Sequence, residues 1–334
     1  MRQSVRAGHA IGLAALVAVL PTAGFAQQSS GRTPPAGADA TSVRSYRVHD
    51  SVYMLVGSGG NVTVQVGEDG VLVVDTQSAH MADQLLAEIQ RIAGGKPIRY
   101  VINTAVDADH LGGNERFRGA GQTIVAGNVA GDIRDAGAAL IAHEKALNRM
   151  VKTAAGQPAV AERALPTETF FGDESELFFN GEAIQLLHVP TAHTDGDVMV
   201  FFRKSEVISS GDIFMTTGYP VIDVARGGTI NGVIAGLNRI IAIAVPRDKQ
   251  EGGTMVIPGH GRICDEADVI EYRDMVTIVR DRVREMIGKK MTLAQVRAAK
   301  PTSDYDGRYG ASTGSWTTDQ FVEAVFRTLP GERR

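Results

Sequence analysis

The sequence predicts an α/β (α+β) fold: a sandwich of two mixed β-sheets with helices over both outer faces. Three observations carry it. Short β-branched runs broken by Gly, Asp or Asn follow one another between residues 45 and 74. Single-striped helical segments then alternate with short apolar runs as far as residue 257. A long amphipathic helix and shorter ones close the chain. At 334 residues, with 43% hydrophobic and 22% charged residues, the chain has the composition of an ordinary globular protein with a sizeable core. The net charge is −4 and no basic run of five or more occurs, which argues against a nucleic-acid partner.

Residues 1–26 read as a secretory signal peptide. Arg2 and Arg6 give a positive start, residues 10–20 a short apolar run, and Gly24-Phe25-Ala26 a small-x-small cleavage site. The run is too short for a membrane span, and no Cys near the cleavage site offers a lipid attachment point. The expected location is periplasmic or secreted, with no membrane contact after signal removal. Residues 27–41, rich in Gln, Ser, Gly, Pro and Ala, read as a flexible linker. A single cysteine, Cys264, rules out an intrachain disulfide; it reads as a packing residue, although it lies four residues after His260.

Strands are predicted over residues 45–48, 52–56, 62–66 and 71–74, with Glu68-Asp69-Gly70 as a hairpin-like turn. Gly57-Ser58-Gly59-Gly60 lacks the following Gly-Lys-Ser/Thr of a phosphate loop and reads as a turn between strands. A helix over residues 81–92 carries Met81, Leu85, Ile89 and Ile92 on one stripe and stops at Gly94-Gly95. Further strands are expected over residues 100–103, 123–125, 182–189, 198–202, 206–209 and 255–257. Residues 129–150 read as mostly helical, with His143 inside the helix, and residues 158–170 as a loop bordering the site. Thr229 caps a helix with Val233, Leu237, Ile240 and Ile241 on its stripe. Helices over residues 266–287, 292–300 and 318–329 enclose a Gly- and Tyr-rich loop, 304–316. Being amphipathic, the tail helices pack on the core or on a second subunit, which keeps a homodimer open.

The chemistry gathers in four strand-end loops. Thr104-Ala105-Val106-Asp107-Ala108-Asp109-His110 follows the strand at residue 100. Pro190-Thr191-Ala192-His193, Ser210-Gly211-Asp212 and Pro258-Gly259-His260 follow three others. A scaffold fixes such loops and leaves their side chains accessible. Carboxylate and imidazole donors suit Zn, Mn or Fe better than thiolate chemistry does.

This set of motifs resembles the metallo-β-lactamase superfamily of metallohydrolases, in the family's order, over roughly residues 45–275. The family's loop reads His-x-His-x-Asp-His, followed by a His, an Asp and a final His. Asp109, His110, His193, Asp212 and His260 match. Ala105 stands where the first His belongs and Asp107 where the second does. The resemblance implies a four-layer αββα sandwich, here residues 42–290, with residues 291–334 as a helical tail on the same domain. It also implies two adjacent metals. One is held by the first two loop histidines and the His193 position, the other by Asp109, His110 and His260, with Asp212 bridging. Asp75 corresponds to a residue that supports the metal loop.

On this chain the second set is complete and the first is damaged. A weak or empty first site and an occupied second one are therefore expected, with Zn2+, Mn2+ or Fe2+ as cofactor. Asp107 either joins His193 and Asp212 as a ligand or serves as a general base; His188, on the strand before His193, is a candidate replacement for the missing His. Asp109 binds metal and orients water. The implied activity is hydrolysis of a small-molecule ester, lactone, amide or phosphoester by metal-bound hydroxide. Asp at the bridging position resembles the glyoxalase, lactonase and phosphodiesterase branches; the zinc β-lactamases place Cys or Ser there. Tyr219, Tyr305, Tyr309 and Trp316 are candidates for lining the pocket or for packing. Two other classes stay open: a non-catalytic small-ligand binding protein, and a redox iron protein, which Ala105 disfavours.

Overall fold

The chain alternates between strands that pair and helices that cover them, and the computed structural model describes residues 42–123, 137–151, 160–249 and 252–329. The leader and linker expected over residues 1–41 lie outside the described residues, as do residues 124–125 of the strand expected at 123–125. Among the described residues, the first sheet runs β1 (Arg44–His49), β2 (Val52–Val56), β3 (Val62–Val66), β4 (Val71–Val74), β5 (Ile98–Ile102), β6 (Ala139–His143) and β7 (Glu168–Phe170), in that spatial order. Pairing is antiparallel from β1 to β4 and parallel from β4 to β7. The second sheet is ordered β12 (Met255–Ile257), β11 (Val207–Ser209), β10 (Asp197–Phe202), β9 (Glu182–Val189) and β8 (Glu174–Phe179). Only its β11–β12 pair is parallel.

Three apolar clusters define four layers. Between the sheets, Val52, Met54, Leu72, Val74 and Ile102 meet Ile184, Leu186, Val198, Val200 and Phe202. On the outer face of the first sheet, Leu55, Val64, Val73 and Val101 receive Leu85 and Ile89 of α1 (Ala82–Ala93). The other outer face, including Val189, Met199, Phe201 and Ile208, packs on α5 (Ile230–Ile243), α6 (Glu266–Gly288) and α9 (Thr318–Thr328). The fold is thus the αββα sandwich of two mixed sheets. Thr229 accepts from Gly232 N–H and caps α5. Asp265 and Thr317 open α6 and α9 with capping boxes.

Among the described residues, short α-helices before the second sheet are α2 (Ala108–Leu111), α3 (Asn114–Ala120) and α4 (Glu144–Val151); α7 (Leu293–Ala298) and α8 (Asp306–Tyr309) lie in the tail. Of the helix expected over residues 129–150, residues 129–136 lie outside the described residues; the described part is strand β6 and then α4, so His143 ends a strand. Ala-Leu-Ile-Ala-His is buried throughout. Such an unbroken apolar run fits a parallel strand covered on both faces as well as a buried helix. Strand β8 went unmarked because Glu174 and Glu176 face outward on an edge strand, where charge is favoured over β-propensity.

The tail is tied to the loop that follows β11 by Phe321, fully buried and stacked on Tyr219 at 4.6 Å. Phe321→Ala is expected to lower the free energy of unfolding by about 3–5 kcal/mol, read by urea denaturation. A loss well under 1 kcal/mol would mean that α9 packs only peripherally.

Candidate functional site

Asp75 ends β4 in the left-handed region, φ +63°, and its carboxylate turns toward the loop after β5. Oδ1 accepts from Thr104 N–H at 2.8 Å; Oδ2 accepts from the Thr104 hydroxyl and from His110 Nδ1 at 2.8 Å. This is the supporting role expected of it. His110 is fully buried on the one-turn helix α2, and its Nε2 points away from Asp75 toward Asp212 Oδ1, 3.2 Å off. Both of those atoms are buried without a hydrogen-bond partner.

The other loops converge on the same place. His260 Nε2 lies 3.2 Å from Asp109 Oδ2 and 3.6 Å from Asp212 Oδ1. A Cβ on Gly259 would fall 2.3 Å from Asp212 Oδ1, so only glycine lets the β12 loop approach this closely. Backbone bonds stitch the loops together: Val198 N–H donates to Thr104 O at 2.9 Å, Gly60 N–H to Asp109 O at 3.2 Å, and Asn61 N–H to Gly259 O at 2.7 Å. The Asn61 side chain adds bonds to Pro258 O and Gly261 O. The glycine-rich turn at residues 57–60 is therefore a brace for the site as well as a connection between strands.

Among the described residues, two groups bring donor atoms within 4.8 Å of one another: Asp109, His110 and His260, and Asp107, His193 and Asp212. Their internal spacing differs. Two ligands bound to one tetrahedral Zn2+ at ~2.0–2.2 Å stand roughly 3.3 Å apart. In the first group, taken with Asp212 Oδ1, His110–Asp212, His260–Asp109 and His260–Asp212 stand 3.2, 3.2 and 3.6 Å apart, and its other donor atoms lie within 4.8 Å. In the second, His193 Nε2 is in direct contact with Asp107 Oδ2 at 2.7 Å. Asp107 Oδ1 is taken by Arg226 Nη2 at 2.5 Å. Asp212 stands between the groups, its Oδ2 3.9 Å from His193 Nε2.

Charge follows this geometry. Burial alone would lower the His110 pKa, but Asp212 and Asp75 outweigh it and hold it well above its usual value. Burial would raise Asp212, yet His110, His193 and His260 hold it far below the carboxylate range. Asp107 resists its burial in the same way: the hydrogen bond and charge of His193, with Arg226, lower it to about 2. The Asp109 carboxyl is lowered chiefly by its hydrogen bond to His260. A cluster in which carboxylates hold imidazoles charged is one where a divalent cation can displace protons.

Asp107, Asp109, His193, Asp212 and His260 floor a cleft of about 380 Å³ walled by Met215, Val221, Tyr219, Tyr309, Trp316 and Thr317, with His110 buried beneath it. Tyr305 is not in the wall; it packs against the core cluster. None of the described lining residues is Lys or Arg. His188 joins neither donor group. Its ring stacks on His143 at 3.7 Å and its Nε2 is bonded to Asp195 O. Cys264 is buried and donates to Arg262 O. The described residues of the 158–170 segment lie outside the cleft lining, and Ala164 O accepts from Asn114 behind the loop. Arg226 escaped the sequence reading because nothing in Asp223-Val-Ala-Arg226 marks it.

The family model of the metallo-beta-lactamase superfamily matches residues 55–260, which contain every donor above. The linear primary-alkylsulfatase of Pseudomonas sp. is 23% identical over 257 residues, 67% of this chain and 46% of that protein. The chain thus spans about half the length of the curated relative it matches. Among solved structures, DIM-1 metallo-beta-lactamase is similar with a TM-score of 0.51 at 17% identity, over 71% of this chain and 97% of that one. The stereoselective inverting sec-alkylsulfatase Pisa1 from Pseudomonas sp. gives a TM-score of 0.60 at 15% identity, over 87% and 50%. At these identities the structural likeness speaks to the fold.

His193 has both ring nitrogens on acceptors, Val221 O at 3.0 Å and Asp107 at 2.7 Å. Burial opposes its charge, but Asp107 and Asp212 raise its pKa from 6.5 to about 10. Stability from this pair is complete below its ordinary pKa and is lost as pH rises through about 10. In chelator-treated protein, wild-type stability should fall more steeply between about pH 7 and 10 than that of Asp107→Asn, by urea unfolding at fixed temperature. Parallel curves would contradict the ion pair.

Proposed function

Because the chain belongs to the metallo-beta-lactamase superfamily, whose members are commonly metal-dependent hydrolases, we propose that it is a hydrolase with one catalytic cation, held by Asp109, His110, Asp212 and His260, and that it cleaves a small neutral ester or lactone. The observation that carries this is the convergent donor set, in which His110 Nε2 and Asp212 Oδ1 face each other at 3.2 Å, buried and without a hydrogen-bond partner. Two imidazoles and two carboxylates suit Zn2+, with Mn2+ and Fe2+ as harder alternatives. A divalent cation there would lower the pKa of a water toward ~7 and polarise the carbonyl oxygen of a substrate.

The chain's own residues supply the rest. Asp75 fixes the His110 tautomer and aims Nε2 inward. Asp109, more open to the cleft than Asp212, orients the attacking water by accepting its hydrogen bond. Asp107, with both oxygens paired and its pKa near 2, is a poor proton acceptor, which argues against the general-base role considered for it. Hydrolysis joins the water oxygen to the carbonyl carbon, breaks the bond to the alkoxy oxygen and returns a proton to that oxygen.

Substrate class follows from charge. Sites for phosphate and sulfate groups are commonly built on Arg or Lys. This cleft presents carboxylates, threonines and aromatic faces, and no Lys or Arg among its described lining. A neutral carbonyl substrate suits it better than an alkyl sulfate or phosphodiester. Export remains part of the proposal on the sequence of residues 1–26 alone.

The test is a panel of aryl ester, lactone, alkyl sulfate, phosphodiester and β-lactam with Zn-, Mn- and Fe-loaded protein. Ester or lactone turnover should lead and fall about 10²-fold or more in Asp109→Ala and His260→Ala with unchanged circular dichroism. Preference for the sulfate or phosphodiester would contradict the substrate class. Undiminished turnover in Asp109→Ala would contradict the site, and no turnover with any metal would favour a small-ligand binding protein.

A further inference from the structure

Resting on the single-cation reading above, we propose that the Arg226 guanidinium stands in for the first metal: it is a built-in cation that pairs with Asp107 and keeps the Asp107–His193 side of the site closed to a second ion. Three observations on separate parts of the chain lead there. Ala105, buried where a donor is missing, removes one ligand from that side. His193 and Asp107 have closed to 2.7 Å, too near to flank a cation, whose ligands stand roughly 3.3 Å apart. Arg226 meets the free oxygen of Asp107 at 2.5 Å.

The arginine is held in place, unlike an ordinary surface partner. It ends the 3-10 turn Val224–Arg226, and Asp223 caps that turn by accepting from Arg226 N–H at 2.8 Å. The other Asp223 oxygen accepts from Arg226 Nε at 2.6 Å, so the guanidinium is gripped by one carboxylate from its own turn and presented to a second. A planar guanidinium suits such a bridge in a way that a lysine ammonium does not. The same segment also positions His193. Val221 O accepts from His193 Nδ1, and Asp223 N–H donates to His193 O at 2.9 Å. Arg226 and His193, the two partners of Asp107, are therefore fixed by one piece of backbone, with Asp212 Oδ2 3.9 Å from His193 Nε2. Arg226 is a positioning residue, since it is absent from the described cleft lining.

Removing the guanidinium leaves Asp107, His193 and Asp212 as three donors, the number that commonly holds a catalytic zinc. The test is equilibrium dialysis against buffered Zn2+, with zinc per chain measured by mass spectrometry and the coordination checked by Co2+ visible spectra. Wild type should hold about one zinc per chain, and Arg226→Ala should rise toward about two, the second more easily chelated. Ala105→His added to Arg226→Ala should tighten that second ion. Arg226→Gln repeats the measurement should Arg226→Ala lose its fold by circular dichroism. One zinc in wild type and still one in Arg226→Ala, in Arg226→Gln and in the double variant would overturn the role of Arg226 while leaving the single-cation reading intact. Two zinc ions in wild type would overturn that reading and this one together, as would none in wild type and none in the variants.

Discussion

The carboxylate of Asp75 is the constraint on which the site depends. It ends β4 in a conformation that non-glycine residues seldom adopt. From there it collects a backbone N–H, a hydroxyl and an imidazole N–H from the loop after β5. Those three bonds fix the chain direction at Thr104 and the tautomer of His110 at once. The inward direction of His110 Nε2 thus follows from strand pairing: β4 and β5 run parallel, so their carboxyl ends, and the loops that leave them, fall side by side.

The second sheet completes the arrangement because its strands end at the same place. Val198 N–H bonds Thr104 O across the sheets, and Asn61 bonds the loop that carries His260. Apolar packing between the sheets holds these ends in register, and Gly259 removes the one side chain that would keep Asp212 away from the His260 loop. With that many carboxylates and imidazoles in a buried space, opposite charges must be neighbours. The site solves this in two ways: one set of donors is spread at the spacing of a cation's ligands, and the other has closed on an arginine.

Much of this was legible in the sequence. Apolar runs ending in Gly-, Asp- and His-bearing turns placed four donor loops at strand ends, Thr229 and the helix stripes read correctly from local pattern, and the role of Asp75 came from the family resemblance alone. The damage to the first donor set was visible as Ala105 and Asp107. The repair was not. Arg226 lies 119 residues from Asp107, and an Asp-x-x-Arg turn looks like any surface pair until the fold brings it to the loop. Strand β6 was misread because a fully apolar run has no period, and β8 because edge strands tolerate charge. The difference between 2.7 Å and 3.2 Å that separates the two donor sets exists only in three dimensions.

The central claim is that one cation binds, and where. Crystals grown with zinc and measured at the zinc absorption edge address it directly. A single anomalous peak among His110 Nε2, His260 Nε2, Asp109 and Asp212, with Arg226 still paired to Asp107, is the predicted result. A peak between Asp107 and His193, alone or beside the first, would contradict it.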